Sequence, residues 1–444
     1  MTTTTARTRV LVTATSAFTL LFAVWLMFGV LGIPIREEFG LTDIQLSWLS
    51  AAAILNGALW RLPAGILADR YGGRRVLFVM LVATAVPTFL VSQARTFTTL
   101  LVLAFLAGFA GNAFSVGVAW TSAWYPRERQ GFALGVFGAG NVGASVTKLI
   151  GPALIAAVPT ATFAGLAFGG WRFVPALYAV LLLLMAAALL VATPRADHRP
   201  GQGRSLAAML RPLRSVRVWR FSLYYVVVFG AYVGLSAWLP KYYVDVFGLP
   251  LATAALLTAL FIFPASLLRP FGGWLADRFG ARRVMYATFT VMLVASGVLM
   301  MPYGYVVIRV ADAPGGLREV LPYELGVVPF TALVFTLGMA MGVGKAAVFK
   351  HIPEYFPKDV GAVGGLVGTL GALGGFVLPP LFAYLQAFTG MAQSTFFVIF
   401  ALTGASLVWM HWTIHRMLQD RSPDLADAFD RGARGTGPEG SVSR

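Results

Sequence analysis

Cysteine is absent from all 444 residues. Disulfides, thiolate metal sites and cysteine nucleophiles are therefore excluded, and the redox compartment leaves no mark on the chain. Histidine is nearly as scarce. His198, His351, His411 and His415 form no spaced metal cluster and no triad with Ser and Asp. The chain reads as a non-enzyme with no metal and no cofactor. Charge is also in short supply, at 12% of residues where a soluble domain carries roughly 25%. Acids are the scarcer sign, with 18 Asp and Glu against 34 Lys and Arg, a net charge of +16. What fills the chain instead is 58% hydrophobic residue. Too little polar side chain remains to cover a water-exposed surface, and the bilayer is the alternative solvent. No basic patch interleaved with aromatics lies outside the apolar runs, so the positive charge does not point to nucleic acid.

Apolar runs of spanning length recur twelve times, at about 10–33, 45–66, 76–94, 98–124, 132–158, 171–192, 219–240, 251–275, 284–308, 326–351, 360–388 and 393–416. Open sheets cannot span lipid and these runs are too long for barrel strands, so an all-α polytopic membrane protein is expected. The first run is too long for a signal-peptide core and reads as a retained span. Alternate connections are basic: Arg70, Arg74 and Arg75; Arg127 and Arg129; Arg278, Arg282 and Arg283; and six arginines between Arg195 and Arg217. The opposite set is mixed or acidic, with Glu37, Glu38, Asp43, Asp245, Asp312, Glu319 and Glu324. The positive-inside rule puts the basic set and both termini in the cytoplasm. The chain divides into 1–192, a basic central loop 193–218, 219–416, and a polar tail 417–444 that reads as disordered.

An internal repeat relates the two long parts. Arg61 to Val76 reads RLPAGILADRYGGRRV and Arg269 to Val284 reads RPFGGWLADRFGARRV, identical at ten of sixteen positions. The chain is thus two six-helix units in parallel, an organisation that places substrate between them at mid-depth. Trp124-Tyr125-Pro126 and Tyr355-Phe356-Pro357 are later counterparts. Their wider spacing implies an insertion in the second unit, which the charged stretch near 309–324 accounts for. Each repeat ends in Gly, Asp and Arg residues: Gly65, Asp69, Arg70, Gly72, Arg74 and Arg75, then Gly273, Asp277, Arg278, Gly280, Arg282 and Arg283. An acid at a helix end among arginines can form a charge network that holds one conformation, so Asp69, Arg70, Arg74, Asp277, Arg278 and Arg282 are expected to gate.

Arg61 and Arg269 each lie eight residues before their motif Asp. That is roughly 12 Å into a hydrocarbon core roughly 30 Å thick. Two guanidiniums at equivalent depth, with no acid in the central part of any span, call for an anionic ligand. Guanidinium is planar and binds planar oxyanions through parallel hydrogen bonds. Lys345 on the tenth span and Lys148 on the fifth also lack an evident acid. A buried lysine can give up its proton, which arginine does not. Lys345 and Lys148, with His351 nearer the cytoplasm, are candidates for proton coupling. The fifth and eleventh spans are glycine-rich, with small-xxx-small pairs that let helices approach closely. Asn141 stands inside the first glycine run, placed either to donate to an anion or to cross-link helices.

These features resemble the nitrate/nitrite porter family of the major facilitator superfamily. The motif loops match the superfamily signature. Gly138, Gly140 and Gly143 around Asn141, and Gly371, Gly374 and Gly375, are similar to the paired nitrate signature segments. The resemblance covers nearly all the spans and implies nitrate, and in the wider family nitrite, as substrate. It implies Arg61 and Arg269 as the anion's ligands, Phe114 and Phe349 as aromatics sandwiching it, and Tyr225 or its neighbour Tyr224 as a further contact. Lys345, Lys350 and His351 on the tenth span resemble the proton-symport branch rather than the exchangers. The resemblance thus implies a bacterial inner-membrane carrier with nitrate and protons as its partners. A monomer is the expected state. Nitrate/nitrite exchange, or carriage of another small anion, is the alternative.

Overall fold

The computed structural model describes residues 3–163, 166–309 and 317–420. Twelve spanning helices run α1 Thr4–Phe39, α2 Trp48–Tyr71, α3 Gly73–Ser92, α4 Phe97–Trp124, α5 Glu128–Ala157, α6 Gly170–Ala192, α7 Val216–Phe247, α8 Thr253–Phe279, α9 Ala281–Leu299, α10 Val327–Tyr355, α11 Val360–Thr389 and α12 Ser394–Ile414. All twelve expected spans are present, and their hydropathy and length suit a membrane. The connections α2–α3 and α8–α9, which carry the repeated Asp and Arg residues, lie at one end of the bundle, here the motif end.

Boundaries differ from the sequence reading where proline or an ion pair decides. α1 continues through Arg36 and Glu38 to Phe39, because Glu38 is held by Arg172 at 2.6 Å and by the Trp171 indole N–H at 2.6 Å. α9 stops at Leu299, shortly before Pro302, and not near residue 308. The apolar stretch after it is a strand: Gly304–Arg309 pairs antiparallel with Leu317–Tyr323. A smaller hairpin pairs Ala161–Phe163 with Leu166–Phe168. Both hairpins sit at the end opposite the motifs, and periodicity scored over spanning lengths does not reveal them. The last helix runs on to Asp420. The remaining tail lies outside the described residues, as does Asp312.

Helices in lipid gain little from the hydrophobic effect and associate through close packing of small residues. Glycines supply this where the first six helices meet the last six. A Cβ at Gly65 of α2 would lie 2.3 Å from the Gly361 carbonyl of α11, and one at Gly273 of α8 would lie 2.2 Å from the Gly131 carbonyl of α5. The segment between α6 and α7 folds against the motif end. Asp197 accepts from the indoles of Trp120 and Trp124, both at 2.9 Å, and from the Arg74 amide at 3.0 Å. Farther along, Arg204 pairs with Asp359 at 2.6 Å at the start of α11.

Candidate functional site

Spans α2 and α8 both break immediately before their arginine. Trp60 sits at φ −94°, ψ 6°, and Leu268 at φ −79°, ψ −1°. Pro63 follows the first break, and Pro264 and Pro270 flank the second. Proline removes helix N–H donors, which is a standard cause of such interruptions. The two arginines therefore project from broken helices rather than from smooth ones.

Arg61 and Arg269 are 0% and 1% exposed. Arg61 Nε donates to the Gly57 carbonyl at 2.7 Å, and its Nη1 donates to the Gly368 carbonyl of α11 at 3.0 Å. Its Nη2 has no hydrogen-bond partner, and neither do Nε and Nη1 of Arg269. A buried donor left unpaired costs about 1–3 kcal/mol, more when charged. No carboxylate forms an ion pair with either guanidinium among the described residues. The arrangement suits an oxyanion.

Phe114 lies against both charges, its ring centroid 5.6 Å from Arg61 Cζ and 5.3 Å from Arg269 Cζ. Phe349 meets Phe114 edge-to-face, at 4.9 Å and 87°. The two rings are thus in direct contact. The near-parallel set is Phe114, Phe229 and Tyr225, with Phe229 at 13° to Phe114 and 8° to Tyr225. Tyr225, not Tyr224, lies beside both arginines, close to Arg269 without a well-aligned hydrogen bond. Tyr224 packs edge-on against Phe289 of α9. A π-helical turn, Val226–Gly230, follows Tyr225 and carries Phe229. Such turns recur at functional sites.

Sequence reasoning missed Phe229 and Trp25, whose rings lie 5.3 and 5.0 Å from Arg61 Cζ. It also missed Tyr232, over which the Lys345 ammonium sits at 3.3 Å. Lys345 is fully buried within electrostatic range of Arg269, and its Nζ has no hydrogen-bond partner.

The glycine segments explain their own positions. A Cβ at Gly138 would meet the Arg269 guanidinium at 2.4 Å, so this glycine seats the arginine. Gly140 and Gly143 instead press on Phe18 and Thr19 of α1. Asn141 lies in a 3₁₀ turn, Ala139–Val142, fully buried, with neither amide atom hydrogen-bonded. It shares the helix face of Gly138, three residues away. On α11, Gly371 seats the Tyr225 ring, while Gly374 and Gly375 pack on Val226 and Val233 of α7.

At the motif end the two acids reach across to backbone amides of the other six-helix unit. Asp69 accepts from the Gly361 amide at 3.1 Å, at the start of α11, and Asp277 accepts from the Phe132 amide at 3.1 Å, in the first turns of α5. For Asp69, the free N–H groups and dipole at the N-terminus of α11 favour a carboxylate. Asp277 also pairs with Lys350 at 2.7 Å. Arg70 and Arg278 lie over Tyr71 and Trp274, while Arg74 donates to Thr193 and to the Leu190 carbonyl. Arg282 lies in the first turn of α9. His351 stacks flat on Phe221, at 5.1 Å and 4°, away from the arginine cluster. Lys148 is not in the cluster either; its Nζ donates to the Ser236 carbonyl at 2.7 Å.

The sequence profile of the Major Facilitator Superfamily matches residues 13–311 and 251–431. The chain is 68% identical to the Thermus thermophilus "Probable nitrate/nitrite antiporter NarK1", over 96% of this chain and 95% of that relative. It is 31% identical to the "Nitrite extrusion protein" of Bacillus subtilis (strain 168), over 88% and 91%. Its fold matches a crystal structure of the transporter FucP in the outward conformation with a TM-score of 0.63, at 16% identity, covering 90% of this chain and 98% of that one.

Proposed function

The chain belongs to the Major Facilitator Superfamily, in its nitrate/nitrite porter family, and from that premise we propose that it carries nitrate across the bacterial inner membrane by alternating access, in symport with protons. That it is a multi-pass nitrate/nitrite transporter rests on its relatives. The finer reading rests on one observation: three buried cations, Arg61, Arg269 and Lys345, that leave N–H groups unpaired and have no paired carboxylate among the described residues. Nitrate is planar, small and singly charged, and suits two guanidiniums that share an aromatic wall. Positive-inside bias puts the motif end in the cytoplasm. The two acids that bridge to α11 and α5 then form an inner gate, and Phe114, Phe229 and Tyr225 wall the anion's site.

Symport follows from energetics and from Lys345. The cell interior is negative, and bringing in one elementary charge costs roughly 2.3 kcal/mol per 100 mV. Nitrate bound beside Arg269 favours a proton on Lys345, and by linkage a proton there favours nitrate. Anion and proton then travel together. The name of the 68%-identical relative favours a second reading, nitrate/nitrite exchange. Reconstituted vesicles separate the two. An inward proton gradient should drive nitrate uptake with no nitrite inside, and Lys345→Gln should abolish that gradient dependence. Uptake that requires internal nitrite and ignores pH would favour exchange.

Phe114 offers a test of the site itself. Removing a ring that contacts both guanidiniums loses two desolvated cation–π contacts and admits water. Phe114→Ala should raise the nitrate Kd about tenfold. Calorimetric titration of the purified protein checks this, and an unchanged affinity would reduce Phe114 to core packing.

A further inference from the structure

Lys148 has a partner that its sequence neighbourhood explains. It lies on α5, about 15 Å beyond Gly138 toward the outer end. Its side chain is 7% exposed, and its Nζ donates to the Ser236 carbonyl of α7 at 2.7 Å. The Ser236 hydroxyl is occupied by the Tyr232 carbonyl at 2.7 Å. In an unbroken helix the Ser236 carbonyl would take the N–H of residue 240. That residue is Pro240, inside the helix, and it has no N–H to give. The Lys148 carbonyl stands in the same relation to Pro152 on α5. At the level where the two helices touch, each has therefore lost a backbone bond, and each can bend there. Among the described residues no carboxylate pairs with Lys148. An ammonium without a carboxylate and a carbonyl without its helical N–H satisfy each other only while the two helices stay together.

We infer that Lys148 is a gating residue of transport: its bond to the carbonyl exposed by Pro240 latches α5 to α7 on the outer side, and it breaks each time that side opens. The inference rests on the alternating-access reading above. It gives the outer side a counterpart to the inner gate, built from a lysine and a proline rather than from an acid and a helix N-terminus.

The absence of native cysteine allows spin labels to be placed without background. Ala156→Cys and Val244→Cys, both exposed and near the outer ends of α5 and α7, form a pair that reports opening. Distances are measured by pulsed electron paramagnetic resonance on the purified full chain without nitrate. Lys148→Met should raise the ratio of long to short distances about tenfold, the contribution of one charge-assisted hydrogen bond. Lys148→Arg, which keeps a donor, should shift it less. Pro240→Ala gives the carbonyl an N–H within its own helix while leaving Lys148 in place, and should shift the ratio in the same direction. Two populated distances left unmoved by Lys148→Met, in protein that still binds nitrate, would overturn the latch. A shift with Pro240→Ala but none with Lys148→Met would overturn it too, assigning the gate to the kink alone. A single distance in every variant, with or without nitrate, would overturn alternating access itself.

Discussion

Arg61→Lys and Arg269→Lys should each abolish nitrate uptake while the protein still reaches the membrane. Lysine keeps the charge and loses the fork. At position 61 the loss is double. The wild-type guanidinium spends Nε on Gly57 and Nη1 on Gly368 while leaving Nη2 for a ligand. An ammonium presents all its donors from one atom and cannot serve two carbonyls and an anion in that geometry. Arg269 has more donors unpaired, and its plane is set by contact with Gly138. Losing one or two charge-assisted hydrogen bonds in a dry site costs about 3 kcal/mol, roughly 100-fold in affinity. Uptake assays alongside quantified membrane protein measure this. Uptake within a factor of a few of wild type, in either variant, would remove these residues from the site.

A methyl group at the inner seam should have a comparable effect on transport by a different route. Gly65 and Gly273 face backbone carbonyls across the seam, where an added Cβ would stand 2.3 and 2.2 Å from oxygen. No flexible side chain can yield there, so Gly65→Ala or Gly273→Ala should prop the inner side open. Overpacking of this kind costs about 1–3 kcal/mol, enough to shift a gating equilibrium about tenfold or more. Transport should fall accordingly. Nitrate binding should change by no more than about threefold, because the arginines lie more than a turn away along the same helices. Wild-type transport in either alanine variant would mean that the seam never closes this tightly during turnover.

Much of this site could be read from the sequence because the two six-helix units repeat. Arg61 and Arg269 identify each other, and their depth follows from counting residues back to a motif acid. Tyr225 and Phe349 came only with the family resemblance. Phe229 had a usable signal, since it lies four residues after Tyr225 and so on nearly the same helix face. Trp25 had none: nothing local separates a tryptophan beneath a guanidinium from one facing lipid. The partners of the gate acids were also illegible. Asp69 binds a backbone amide 292 residues away, and a backbone group leaves no trace in residue identity. The early end of α9 was legible in Pro302, which a count of apolar length passes over.

The connection between the two units implies an order of assembly. Among the described residues, those that clasp Asp197 from a distance, Arg74, Trp120 and Trp124, precede it in the chain. The clasp can close as soon as the sixth helix has left the ribosome, fixing the first unit while the second is unmade. Arg204 must wait. Its carbonyl partner Lys358 is 154 residues downstream, about ten to thirty seconds of synthesis. For that interval the first unit stands ready with Asp69 in place, a finished surface on which the later helices dock.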